Sequence, residues 1–121
     1  MDSENILKVA ANALNSKKAK DINCIKIDGL TLLTSYFLLC TATSNTHVRA
    51  LADEVEEKLK ESGVTPHHIE GKTSGWLVLD YSSVIVHIFT PKEREFYALD
   101  KMWSDGEKID LTKILDDAIG E

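Results

Sequence analysis

A chain of 121 residues can enclose one hydrophobic core but is too short for two domains of ordinary size. With 43% hydrophobic and 28% charged residues, two prolines and six glycines, its composition excludes a disordered or fibrous chain. The formal charge of −6 opposes a phosphate backbone, so direct nucleic-acid binding is disfavoured and a basic protein surface is the natural complement.

The N-terminal stretch places acids ahead of its apolar residues and has no apolar run of signal-peptide or membrane-spanning length, so a cytosolic protein is expected. Ser3 is a candidate N-cap for a first helix. Ile6, Leu7, Val9, Ala10, Ala13 and Leu14 recur at helical spacing there, and Lys17, Lys18 and Lys20 close the segment as its dipole prefers. Asp21 to Ile27 reads as a strand and Asp28-Gly29 as a turn. Tyr36-Phe37-Leu38-Leu39-Cys40 follows without alternation, as an interior strand covered on both faces does. Cys24 and Cys40 both fall in such apolar stretches and are read as buried free thiols in a reducing compartment.

Ser44-Asn45 can cap a second helix with Val48, Leu51, Ala52, Val55 and Leu59 on one face, ended by Gly63. A short strand around His67 to Glu70 leads into a loop, Gly71 to Gly75. Residues 76–81 and 84–89 then form a hairpin around Ser82-Ser83. Thr90-Pro91-Lys92-Glu93 combines an N-cap, a proline at the first helical position and a glutamate three residues beyond the cap. A third helix should start there, with Phe96, Leu99, Met102 and Trp103 along one side, and stop near Ser104-Asp105-Gly106. A tail helix over about 110–119 should follow, with Ile109 and Ile114 as a hydrophobic staple. The order predicts one α/β domain over 1–121, a mixed sheet flanked by helices.

Gly71-Lys72-Thr73 imitates the end of a phosphate-binding loop, but Pro66 stands where the motif needs glycine and a strand follows where it needs a helix. The adjacent His67 and His68 point to opposite faces of a strand and do not chelate one metal ion. No metal or cofactor site is expected. A nucleotidyl-transfer site would need two carboxylates two residues apart on one strand, yet Asp80 is followed at that spacing by Ser82. Every other close acid pair lies on a predicted helix, in a turn or in the tail. What remains is the stretch from Trp76 to Trp103, which holds aromatics interleaved with Asp80, Glu93, Arg94, Glu95 and Asp100. Phe89, Phe96 and Trp103 are read as core, and the rest of the mixture suits a protein interface with a basic partner.

Residues 75–103, GWLVLDYSSVIVHIFTPKEREFYALDKMW, resemble the signature of the RsfS/Iojap family of ribosomal silencing factors. The elements that carry the likeness are Glu70-Gly71, Trp76, Asp80-Tyr81, the VIVHIF strand, Arg94-Glu95-Phe96-Tyr97 and Trp103. Upstream it continues through Asp28, Leu33, Thr34, Tyr36 and Phe37 to Ser44, Val48, Ala50, Ala52, Asp53 and Val55, covering about residues 4–105. The resemblance implies a nucleotidyltransferase-like fold lacking the catalytic carboxylates, and a protein that is not an enzyme. It implies binding to the large ribosomal subunit through ribosomal protein fourteen at the intersubunit face. Subunit association is then blocked and translation repressed when nutrients are short. On this reading Trp76, Tyr81 and Tyr97 are aromatic contacts, Asp80, Glu93 and Glu95 complement basic groups of the partner, and Arg94 and His87 orient the patch. The alternatives are a self-associating module, since family members form homodimers, and a divergent nucleotidyltransferase. Two departures stand out: Ser82-Ser83 where the family commonly has a glycine and an acid, and Ala42 where glycine is frequent.

Overall fold

A computed structural model of the chain describes residues 2–27, 34–73 and 75–115. The elements are α1 (Ser3–Ser16), β1 (Lys20–Lys26), β2 (Tyr36–Thr41), α2 (Asn45–Glu61), β3 (His68–Thr73), β4 (Trp76–Asp80), β5 (Val84–Phe89), α3 (Pro91–Tyr97), α4 (Leu99–Met102) and β6 (Glu107–Ile109), followed by a 3₁₀ turn over Leu111–Lys113. The strands form one sheet in the order β3-β4-β5-β2-β1-β6. Among the described strands only β2 and β5 pair in parallel, Tyr36 opposite Val84 through Thr41 opposite Phe89. The other neighbours are antiparallel, so the sheet is mixed, as the element order predicts.

Alternation on the strands sorts the apolar side chains onto two faces. Cys24, Leu38, Cys40, Leu77, Leu79, Val86 and Ile88 meet the apolar stripes of α1 and α2 on one face. Ile25, Ile27, Leu39, Phe89 and Leu99 form a smaller cluster on the other, under α3 and α4. The run Tyr36–Thr41 lies between β5 and β1 and is covered on both faces, Leu38 and Cys40 by the α1/α2 core and Phe37 and Leu39 by the cluster that includes Leu99. Both cysteines are free and buried on neighbouring strands, and burial pushes each thiol up to about 12, which leaves them unreactive.

Several local expectations need correction. Asp2, rather than Ser3, caps α1, its Oδ1 accepting from the Asn5 N–H at 2.9 Å. The lysines fall beyond the last turn, and Lys18 is left-handed with φ 65°. Ser44 caps α2 as expected, and Gly63 follows that helix with φ 84°. Gly71-Lys72-Thr73 is strand, not loop, because β3 pairs with β4 up to Thr73 opposite Trp76. Three residues, Tyr81 to Ser83, separate β4 from β5, and Ser82 takes φ 71°. The residues after Gly106 form β6 against β1, a strand too short to show periodicity. Ile109 and Ile114 both pack on the α1/α2 core, but a 3₁₀ turn replaces the start of the tail helix. Asp28-Gly29, Ser74 and the tail from 116 onward lie outside the described residues.

The predicted third helix is two helices. Ala98 is left-handed, with φ 49° and ψ 46°, and separates α3 from α4. Thr90 makes no side-chain cap, so the capping box is not formed; its N–H donates instead to the Gly75 carbonyl at 2.8 Å. On one continuous helix Phe96 would share a stripe with Leu99 and Trp103. The break at Ala98 resets the helical phase, sending Leu99 into the core while Phe96 stands 77% exposed and Met102 68% exposed.

Candidate protein-docking site

The face of the sheet beneath α3 and α4 carries a connected set of rings. Trp76 on β4 stacks on Phe89 of β5 with centroids 5.2 Å apart and meets Tyr97 of α3 at 4.5 Å. His87 lies parallel to Phe89 at 6.0 Å and meets Phe37 edge to face at 4.8 Å. Phe37 meets Trp103 in the same way at 5.4 Å, and Phe96 meets Tyr97 at 5.0 Å. These edge-to-face and offset geometries are the favoured ones for aromatic quadrupoles. Phe89 is fully buried, Trp76, Tyr97 and Trp103 are half-buried, and Phe96 projects into solvent, so the rings run from core to surface.

His87 sits in the middle of this set. The Trp76 indole N–H donates to His87 Nδ1 at 3.2 Å, and an indole nitrogen can only donate, so Nδ1 is bare and the neutral ring carries its proton on Nε2. That Nε2 is buried without a partner. Burial pushes the His87 pKa down to about 4, helped by the charge of Lys72 and opposed by Asp100.

Arg94 ties the ring-bearing helices to the sheet. Its guanidinium grips Asp100 with two bonds, Nε to Oδ1 at 3.1 Å and Nη2 to Oδ2 at 2.8 Å, while Nη1 donates to the Asp21 carbonyl and to Thr41 Oγ1 at 3.0 Å. Asn23 Nδ2 donates to Asp100 Oδ2 at 2.9 Å. Burial alone would raise the Asp100 carboxyl, but the bonds from Arg94 and Asn23 and the guanidinium charge hold it below the usual range. Thus α3, α4, β1 and β2 share one polar clamp. At the other end of α3, a Cβ on Gly75 would stand 2.5 Å from Thr90 Oγ1 and 2.7 Å from Glu93 Cγ, so only glycine lets the helix start approach β4 this closely.

A sequence profile described as "Ribosomal silencing factor during starvation" matches residues 1–120. The chain belongs to the RsfS family of ribosomal silencing factors. The RsfS of Bacillus subtilis is 37% identical over 112 residues, 92% of this chain and 95% of that protein. A crystal structure of a Chromobacterium violaceum protein, 36% identical, superposes with a TM-score of 0.83 and covers 91% of this chain and 92% of that one. A mouse protein named for mitochondrial assembly of the ribosomal large subunit is 32% identical over 95 residues, 75% of this chain and 42% of its own length. The family reading drawn from residues 75–103 is thereby shown.

Within this RsfS-family chain the eight residues singled out from the sequence divide by location. Trp76, Asp80, Glu93, Glu95 and Tyr97 are exposed or half-buried around the ring face or on α3. Asp80 Oδ1 accepts from the Ser82 N–H at 2.7 Å and so also holds the hairpin turn. Arg94 and His87 lie inward. Tyr81 requires a correction: it is 3% exposed and packs in the core shared with α1 and α2, on the sheet face opposite Trp76. Five positions separate the two, an odd number, and strand alternation alone sends them to opposite sides. Burial raises the Tyr81 hydroxyl to about 12, aided by the charge of Glu56. Phe96, read from the sequence as core, is the exposed ring that reading missed; the αL backbone at Ala98 that turns it outward leaves no glycine as a sign. Phe37, far from the signature in sequence, joins the rings because β2 pairs with β5.

Among the described residues, no three His, Cys, Asp or Glu side chains are grouped to hold a metal ion, and no helix is long and apolar enough to cross a membrane. No described strand carries two carboxylates two residues apart. His68 and Lys72 flank Glu70 on β3 at 3.2 and 3.0 Å, an exposed ion-pair row of little energetic weight.

Proposed function

We propose that this chain docks on the large ribosomal subunit through ribosomal protein fourteen, at the intersubunit face, and blocks subunit association. Translation is thereby repressed in the cytoplasm under nutrient limitation, with no bond made or broken. Membership of the RsfS family across residues 1–120 carries this reading. The name of the mouse relative supports a large-subunit partner. A net charge of −6 and a half-exposed aromatic surface bordered by Asp80, Glu93 and Glu95 support docking on a basic protein rather than on RNA. Occlusion needs only mass action: the bound body must leave before the subunits join.

The test is sucrose-gradient sedimentation of purified subunits with the protein. Co-migration with the large subunit and a smaller joined-ribosome peak are expected; no binding to either subunit defeats the proposal. Self-association has one observation in its favour, since β3 ends the sheet with Ile69 39% exposed on it. Light scattering across concentration separates the two, and a monomer at tens of micromolar removes the second.

A further inference from the structure

We infer that Phe96 is the apolar anchor of this docking surface, the side chain that enters a socket on a basic protein partner. The inference rests on the docking function proposed above and adds to it the residue and the chemistry of the contact.

Three large apolar side chains of the described residues are exposed, and Phe96, at 77%, is the most exposed of them. Its position is imposed rather than loose. The left-handed Ala98 ends α3 just beyond Phe96, and the Arg94 clamp to Asp100, Thr41 and the Asp21 carbonyl prevents the helix from rolling the ring inward. The ring leans edge-on against Tyr97, which rests on Trp76, which stacks on the fully buried Phe89. A ring supported in this way loses little conformational freedom when a partner closes over it, which is the property of interface anchors.

Charge selects the occupant. Lys92 and Glu95 are both exposed on α3 and lie four and one positions before Phe96, with Glu93 half-buried nearby. The chain as a whole carries −6. An exposed phenylalanine can also stack on an RNA base, but a body of this charge is repelled by phosphate, so a basic protein surface with an apolar depression is the occupant.

The experiment compares the full chain with Phe96→Ala and Phe96→Leu by titration onto purified large subunits, onto protein-free ribosomal RNA and onto isolated ribosomal protein fourteen. All three chains should melt at the same temperature, because the ring is exposed. Phe96→Ala should weaken binding to the subunit and to the isolated protein by about tenfold to a hundredfold, and Phe96→Leu by less. Subunit binding within twofold of wild type for both variants overturns the anchor and leaves the docking function standing. A wild-type chain that binds neither the subunit nor the isolated protein overturns both. Binding to the bare RNA that Phe96→Ala abolishes makes the occupant RNA, and a wild-type dimer that Phe96→Ala dissociates makes it a second copy; either overturns the assignment to a basic protein.

Discussion

His87 shows how one residue couples packing to proton binding. The indole of Trp76 needs a bare Nδ1, and a protonated ring would set two N–H groups against each other while placing a charge among the three rings of Phe37, Trp76 and Phe89. Its pKa falls from an ordinary 6.5 to about 4 in the folded chain, so between those values the unfolded chain binds the proton and the folded chain does not. Stability is therefore fully present above pH 6.5 and declines as pH falls toward 4, by up to about 1.4 kcal/mol per unit. Urea unfolding at pH 7 and pH 5 should show a steeper loss for the wild type than for His87→Phe, whose ring cannot titrate. Equal losses would place the pH dependence on the carboxylates instead.

At the scale of elements, four non-glycine residues among those described adopt positive φ: Lys18, Asp21, Ser82 and Ala98. At Ser82, the position that the family resemblance gives to glycine, the backbone takes φ 71°, a conformation that glycine adopts without strain and serine does not. The Asp80 carboxylate accepts from the Ser82 backbone N–H, a bond that Ser82→Gly retains. Relief of the left-handed strain, less the extra freedom of glycine in the unfolded chain, should make Ser82→Gly more stable by about 0.5–1 kcal/mol. A lower urea midpoint for that variant would mean that the serine hydroxyl holds the turn. Ala98 differs in consequence: there the strain sets the phase of α3 against α4 and so decides which ring faces solvent.

For the whole molecule, the docking proposed above gives the aromatic face and the acidic charge one common role, the first through contact and the second through orientation and encounter rate. The double change Glu93→Lys, Glu95→Lys alters the net charge by four units on α3, at a half-buried and an exposed position. Large-subunit affinity should fall by roughly fivefold to tenfold at low salt, and the difference from wild type should shrink as salt rises. An unchanged affinity at low salt would show that this edge of α3 faces away from the partner. The clamp around Arg94 gives the surface its rigidity, since two strands and two short helices are held by one guanidinium.

The α/β class, the α2 stripe from Val48 to Leu59, the interior placement of β2, the hairpin and the family itself were legible in the sequence. These rest on periodicity, capping and motif identity, which are local properties carried by side-chain type. The short β6, the extension of β3 and the ring contact of Phe37 with His87 were not, because each depends on which strand lies alongside. The outward turn of Phe96 was equally hidden. Helical spacing assumes a continuous helix, and the break at Ala98 exists only because packing of Leu99 and the Arg94 clamp hold an alanine in a conformation that its own chemistry disfavours.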